Sequence, residues 1–319
     1  MKLWWHKLTH WEYWPVEVVY FLTFFYWIFL VIRFRSVDFY KYANLSIANG
    51  GLYGDSKMDI YRLLPEQYYP KTILIEAGQT DAALKLMRSN QMSYPLIVKP
   101  DIGCRGVGVQ KVTNDLEMAE YAAAIGQSFL IQELVNYPNE IGLFYYRFPG
   151  ESNGNISGIT IKNFLTVKGN GTDTVEQLLR KNPRWEMQIA KLRVKSDLNE
   201  VLENGVEKCL VPFGNHNRGT LFLDGSIYIT DQMVSTWNAI LEKVNGFNYG
   251  RLDIRFNSFE ELEQGKNFSI IEVNGAKSEP THIYDPNHSF WYGQYEIFRH
   301  QRIMAKIVKL NMHSFSQRR

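Results

Sequence analysis

Two short apolar segments carry oxygen ligands at strand spacing. In Ile270-Ile-Glu272-Val-Asn274, Glu272 and Asn274 are two residues apart and so share one face of a strand. Arg251-Leu-Asp253-Ile254 gives Arg251 and Asp253 the same relation. Two carboxylates and an amide oxygen on adjacent strands suit Mg²⁺, a hard cation that shares protein oxygens with nucleotide phosphates. Either segment alone also reads as ordinary polar residues of an edge strand. Upstream, Tyr94-Pro-Leu-Ile-Val-Lys99-Pro-Asp-Ile-Gly103-Cys-Arg-Gly106-Val-Gly108 delivers a lysine from an apolar strand into a glycine-rich turn. Such glycines let backbone N–H groups close over phosphate oxygens without Cβ clashes. The segment is not a Walker loop, because it has no Gly-Lys-Ser/Thr and no helix is expected to begin there. By itself the Gly103–Gly108 spacing is equally that of a hairpin turn.

Five stations in order carry a resemblance. They are Asp55-Ser-Lys57 with Tyr61-Arg-Leu-Leu-Pro65; Ile97-Val-Lys99-Pro; Phe129-Leu-Ile-Gln132-Glu133-Leu-Val135; Val167-Lys-Gly-Asn-Gly171-Thr-Asp-Thr-Val-Glu-Gln-Leu; and Gly250-Arg251-Leu-Asp253 followed by Glu272-Val-Asn274. Together, from about residue 55 to about 286, the chain resembles the ATP-grasp superfamily, in its D-alanine–D-alanine ligase and cyanophycin-synthetase-like branch. The resemblance implies an α+β fold in which two α+β lobes hold ATP between them. It implies an ADP-forming carboxylate–amine ligase that works through an acylphosphate.

It also implies roles. Lys57 and Lys99 would meet the phosphates under Gly103, Gly106 and Gly108. Gln132, Glu133 and Val135 would read adenine, and Glu140 the ribose. Asp253, Glu272 and Asn274 would hold two Mg²⁺ ions with Glu272 bridging, and Arg251 would act with Lys99 on the acylphosphate. Each of these residues also has a plainer reading as a surface charge, a structural ion pair or a turn residue. A phosphotransferase without ligation and a non-catalytic ATP-binding scaffold are the competing functions. After Asn274 the chain reads Gly-Ala-Lys277-Ser-Glu-Pro-Thr-His282-Ile-Tyr-Asp285, where the family's dipeptide ligases have a Pro-Gly-Met-Thr-like turn. An acceptor other than D-alanine is therefore expected, with Lys277, His282 and Asp285 as candidate contacts. The segment Asn215-His216-Asn217-Arg218 would approach the donor carboxylate, with His216 either a base or a hydrogen-bonded loop histidine.

Composition narrows the field. A net charge of +2 over 319 residues gives no bulk electrostatic case for nucleic acid. Two cysteines, Cys104 and Cys209, exclude a disulfide framework and suit a reducing compartment. Cys104 reads as a filler of the glycine loop or as a site where alkylation would block ATP. Five of the eight tryptophans, at positions 4, 5, 11, 14 and 27, lie in the first 42 residues. Residues 18–32 form an apolar run of fifteen broken only by Thr23, with Lys2, Lys7, Arg33 and Arg35 around it. A bilayer span takes roughly 20 residues, which residues 14–34 reach if Glu17 is included. Three readings stand: a membrane-embedded or membrane-surface anchor, a partner or homodimer helix, and a buried core helix. The expectation is a cytoplasmic catalytic domain held at the cytoplasmic membrane, with membrane lipids as partners. The resemblance implies a Rossmann-like domain ahead of the first lysine; this segment is expected to stand in its place, and a lipid-linked substrate is then expected.

The organisation expected is a hydrophobic segment over 1–48, a first lobe over 49–130 and a second over 131–319. Helices are expected over 55–64, 80–89 with Thr80 or Asp81 as cap, 115–125, from 174 onward, 185–202, 231–244 and 301–310. Strands are expected over 72–76, 97–100, 107–112 and 129–132.

Overall fold

The aromatic N-terminus folds as three helices, α1 (Lys2–Thr9), α2 (Val16–Val19) and α3 (Phe21–Phe34). Pro15 opens α2, and Tyr20, at φ −100° and ψ 10°, breaks the run that the sequence presented as one helix. The expectation of a single apolar helix over 14–34 is corrected accordingly. At 14 residues, α3 is about 21 Å long. Among the described residues, no helix is long and apolar enough to cross a membrane. The computed structural model describes residues 2–79, 82–103, 106–194, 196–212, 214 and 218–317. The proposed cap at Thr80 or Asp81, Cys104 and the loop residues Asn215, His216 and Asn217 lie outside them.

Helix α4 (Lys57–Tyr61) starts at Ser56, whose side chain accepts from Asp59 N. A four-stranded antiparallel sheet follows. It comprises β1 (Thr72–Ile75), β2 (Leu96–Pro100), β3 (Gln110–Val112) and β4 (Phe129–Glu133) in the order β1-β4-β2-β3. Helices α5 (Ala83–Ser89) and α6 (Asp115–Ile125) cover one face, where Met87, Met118 and Tyr121 bury Leu96, Val98 and Ile131. Asn114 caps α6 at one end, and Gly126 at φ +64° ends it in the left-handed conformation glycine tolerates. The third strand is shorter than expected because the chain turns through Gly106 and Gly108 (φ +69° and +73°) before pairing begins at Gln110.

The second sheet starts with β5 (Asn139–Tyr146) and β6 (Asn155–Asn163). A satellite follows: β7 (Leu165–Lys168), α7 (Val175–Arg180), α8 (Pro183–Glu186), α9 (Ile189–Leu192) and β8 (Glu207–Val211), with its own core of Leu165, Val167, Val175 and Leu179. The helix expected over 185–202 is therefore two single turns. Beyond them the chain is held by α7, where Glu176 N and Val175 N donate to the carbonyls of Leu198 and Glu200 at 2.9 Å. Those N–H groups at a helix start have no intrahelical partner, and the chain that satisfies them cannot also be helical.

Strands β9 (Leu221–Asp224), β10 (Tyr249–Phe256) and β11 (Phe268–Asn274), with α10 (Asp231–Leu241) and α11 (Phe259–Glu263), complete the main sheet in the order β11-β10-β5-β6-β9. On β10, Leu252, Ile254 and Phe256 face a core with Trp237, Ile240 and Leu143. The alternate residues Arg251, Asp253 and Arg255 face the other way, as the two-residue strand period requires.

Helix α12 (Phe290–Gln317) is far longer than the 301–310 expected. Its extra turns lie under the N-terminal segment. Trp11 sits on Gly293, where an added Cβ would meet the ring at 2.6 Å, and Leu30, Phe39 and Ala43 pack with Met304, Ile307 and Val308. Asn44 is fully buried and makes four hydrogen bonds, donating to the carbonyls of Gly50 and Tyr249 and accepting from the N–H groups of Asn248 and Tyr249. The first 48 residues are thus stitched to the main sheet, and α3 buries one side. Its other side, with Phe21, Phe24, Phe25, Ile28, Phe29 and Ile32, is exposed. The helix is apolar all round.

Candidate active-site cleft

Both sheets contribute to a cleft of about 1160 Å³, lined by Ile97, Lys99 and residues 132–137 together with Glu12, Trp14, Tyr53, Asp55 and residues 277–279. Its floor is the polar face of β10 and β11. Asp253 pairs directly with Glu272 and Arg251 with Asn274 across these antiparallel strands, so the four side chains leave the sheet on one face. Gly142 on β5 lies opposite Asp253. A Cβ there would come within 3.0 Å of the Arg251 side chain and 3.3 Å of an Asp253 oxygen, so a glycine in mid-strand makes room for this pair.

The floor is a chain of buried charges. Arg251 Nε donates to Asp253 Oδ1 at 2.8 Å, Lys162 Nζ lies 3.1 Å from Asp253 Oδ2 and 2.8 Å from Glu140 Oε1, and Arg255 Nε lies 3.0 Å from Glu140 Oε2. Burial pushes the Asp253 pKa upward, but Arg251 and Lys162 outweigh it and hold the carboxyl below its ordinary value. The partners mirror this: burial works against the cations, and Asp253 raises Arg251 while Asp253 and Glu140 raise Lys162. Glu140 therefore sits in the cleft wall with its charge already paired, where sequence reasoning had it as a ribose acceptor.

Lys162 is a site residue the sequence reading missed. Its signal was present: in Ile159-Thr-Ile-Lys162 the isoleucines take one strand face and the lysine falls on the other.

Lys99 projects from β2 over this floor. Its ammonium donates to Tyr61 Oη (2.9 Å), Gln132 Oε1 (2.9 Å) and the Ile271 carbonyl (3.1 Å), using all three of its protons. Burial lowers its pKa to about 8, and the Glu272 carboxylate works against that shift. Gln132 is engaged at both ends, because its amide nitrogen donates to Thr72 Oγ1 at 2.8 Å. It positions the lysine. Beyond Glu133 the chain leaves the sheet, and Leu134, Val135 and Asn136 line the cleft.

Of the residues singled out in the sequence, Lys99, Gly103, Gly106, Gln132, Glu133, Val135, Glu140, Arg251, Asp253, Glu272 and Asn274 line this one cavity. Two do not. Lys57 turns its ammonium onto the carbonyls of Pro100, Asp101 and Gly103 at 3.0–3.1 Å, fixing α4 to the start of the glycine loop. Gly108 serves the fold, since a Cβ there would come within 2.8 Å of Pro100. Among the candidate acceptor contacts, Lys277 lines the cleft paired with Asp55 at 2.7 Å. His282 is buried against Glu296 at 3.2 Å, and Asp285 accepts from the backbone N–H groups of Asp224 and Asn287 at 2.8 Å. Both of these are structural. The Gly171 segment belongs to the satellite, and among the described residues none from 163 to 211 lines the cleft.

The donor set at the floor fits a hard divalent cation. Glu272 and Asn274 offer oxygens beside Asp253, and among the described residues none donates a hydrogen bond to the Glu272 carboxylate. No group of three His, Cys, Asp or Glu side chains that could hold a metal occurs among the described residues. An ion here would need ligand oxygens to complete its shell, as Mg²⁺ shared with phosphates does.

Fold and cleft define an α+β protein built on two antiparallel sheets that face a common polar cavity. Comparison with protein-family models and with curated proteins finds no match. Similar solved structures include the VanG D-Ala:D-Ser ligase from Enterococcus faecalis, at 13% identity and TM-score 0.44 over 80% of this chain and 61% of that one. A D-alanine–D-alanine ligase from Bacillus anthracis aligns at 12% identity and TM-score 0.45, over 83% of this chain and 69% of that one. A bifunctional glutathione synthetase from Pasteurella multocida gives 14% and 0.39, over 76% of this chain and 35% of that one. The chain thus spans less than two thirds of the first and third of these proteins.

Proposed function

We propose that the cleft binds Mg²⁺-ATP and joins a carboxylate to an amine through an acylphosphate. The observation that carries this reading is the placement of Lys99 above one co-facial set, Arg251, Asp253, Glu272 and Asn274, in a single cavity. In this reading a carboxylate oxygen takes the γ-phosphoryl group and ADP leaves. The amine nitrogen then bonds to the acyl carbon, the bond from that carbon to the phosphate oxygen breaks, and the amine's protons pass to solvent. Lys99 neutralises phosphate charge, the segment after Glu133 takes the base, and Arg251 meets the charge that develops on the acyl oxygen. Glu272 and Asn274, with Asp253, would hold Mg²⁺, which supplies charge neutralisation across the phosphates.

Lys99 gives a direct test. In the free protein its pKa of about 8 leaves it partly deprotonated in mildly alkaline buffer. Bound phosphate favours the charged form. Binding of Mg²⁺-AMP-PNP should therefore take up about half a proton at pH 8 and almost none at pH 6. Calorimetry in buffers of different ionisation enthalpy measures this uptake. A Lys99→Met protein should show none at either pH, and failure of the wild-type chain to bind nucleotide would discard the reading.

The exposed side of α3 supports association with a membrane surface. It presents large apolar residues, α1 adds exposed Trp4 and Trp5, and Lys7, Arg33 and Arg35 are exposed beside them. A short apolar helix with interfacial aromatics and basic residues lies in the headgroup boundary. The full chain should sediment with vesicles containing anionic lipid, and Phe24→Asp/Ile28→Asp should stay in the supernatant. Equal sedimentation of both proteins would contradict this.

A further inference from the structure

The N-terminal segment is also a wall of the cleft. Glu12, Trp14, Val16 and Val19 line it. This wall is tied down at three points. Glu12 is paired with buried Arg184 at 2.5 Å, Gln294 Nε2 donates to the Val19 carbonyl at 2.9 Å, and Tyr20 Oη donates to the Glu279 carboxylate. Tyr284 Oη donates to the same oxygen, Glu279 Oε1, at 2.5 Å.

Three of the carboxylates that line the cleft, Glu12, Asp55 and Glu279, differ in their partners. Glu12 has Arg184 and Asp55 has Lys277 as an ion-pair partner. Among the described residues, Glu279 has no cation within ion-pair distance and receives its hydrogen bonds from two neutral phenols. Burial first, and then Glu279 itself, raise both phenol pKa values well above the ordinary one, so both remain donors at any working pH. The Glu279 carbonyl accepts from Arg251 Nη1 at 3.2 Å, which fixes this carboxylate beside the floor residues. Arg251 acts on this carboxylate only from beyond ion-pair distance, and a carboxylate without an ion-pair partner in a ligand cavity can take a cation from the ligand. Apolar surface runs out from it. Val16 lines the cleft and is also half exposed, and Val18, Phe21 and Leu22 continue onto the open face of α3.

We infer that Glu279, oriented by Tyr20 and Tyr284, binds the ammonium group of an amphiphilic amine whose apolar chain runs along Trp14, Val16 and Val19 toward the exposed face of α3. Tyr20 is a positioning residue in this arrangement. The inference rests on the ligase reading for the statement that this amine is the acceptor. Binding of the amine itself does not depend on that reading.

The test is photolabelling of the full chain with octylamine that carries a diazirine at the end of its alkyl chain. Label should appear within residues 14–20, and excess octylamine should remove it while excess octanol should not. Glu279→Gln should lower this labelling about tenfold, as expected for loss of a charge-assisted contact. Label on exposed Trp4 and Trp5 of α1, which do not line the cleft, should be unchanged and serves as the internal reference. Tyr20→Phe removes one hydroxyl only and should lower labelling of 14–20 less than Glu279→Gln does. It also provides the readout if Glu279→Gln fails to fold. Equal labelling in the wild type and both variants, or equal competition by octanol, would overturn the inference. Binding of Mg²⁺-AMP-PNP, measured on the same samples, separates the two questions: its absence sinks the ligase reading alone, and unchanged labelling in the variants sinks the amine subsite alone.

Discussion

Glu272→Gln is expected to lower turnover by a factor on the order of 10²–10³ or more while leaving stability close to that of the wild type. The side chain lies on the cleft floor, and among the described residues none donates a hydrogen bond to its carboxylate. Removing its charge breaks no ion pair among the described residues, although it withdraws the carboxylate that favours the charged form of buried Lys99, whose hydrogen bonds to Tyr61, Gln132 and the Ile271 carbonyl remain. The amide keeps size and one oxygen but loses the charge that a hard cation requires. Nucleotide affinity in Mg²⁺ should fall together with turnover, whereas urea unfolding followed through the buried Trp237 should give an unchanged midpoint. Near-normal turnover in this variant would mean that the metal assignment is wrong.

Its cross-strand neighbour should behave differently. Asp253→Ala is expected to destabilise the protein by roughly 3–5 kcal/mol, because it leaves Arg251 and Lys162 buried without their shared counter-ion. Both cations lie within 3.1 Å of its oxygens. The contribution has a sign in pH. The folded-state pKa of Asp253 is lowered, so the stabilisation is present above the unfolded value of about 3.9 and is lost as pH falls through the folded one. Urea unfolding at neutral pH should show the large gap between wild type and Asp253→Ala, and that gap should narrow in acid. A loss below about 1 kcal/mol, the range of an exposed pair, would show that the charged floor does not hold the sheet together. Two carboxylates paired on adjacent strands thus separate chemistry from stability, and activity and unfolding measured on both variants distinguish them.

Much of this floor was legible in the sequence because it obeys strand periodicity. Arg251 and Asp253, like Glu272 and Asn274, are two apart, and the register that sets them opposite one another follows once both segments are strands. Lys99 was legible for the same reason, as a charge at the end of an apolar strand. What could not be read was set by contacts between distant parts of the chain. Nothing local in Asp55-Ser-Lys57 states that the ammonium will turn to three loop carbonyls. The charges of Glu140 and Asp253 looked available because Lys162, which neutralises both, lies on a third strand.

The apolar N-terminus shows the same limit more strongly. Its composition pointed to a membrane, but Pro15 and Tyr20 divide it, and long-range ties fold it against the main sheet. Asn44 bonds to Tyr249, Trp11 seats on Gly293, and Tyr20 reaches Glu279 across more than 250 residues. Periodicity describes which face of an element is apolar and does not describe what covers it. That is also why α12 was underestimated: its first turns carry mixed residues whose burial comes from the N-terminal segment.

The central claim is that the cleft uses ATP to join a carboxylate to an amine. The most direct measurement is mass spectrometry of products after the full chain, solubilised in mild detergent, is incubated with Mg²⁺-ATP and a fractionated extract of lipids and amino acids, with ADP and free phosphate followed in parallel. The account predicts equal amounts of ADP, free phosphate and a product whose mass is the sum of a carboxylate and an amine less one water. A phosphorylated product formed without free phosphate, or tight nucleotide binding with no turnover in any fraction, would contradict it.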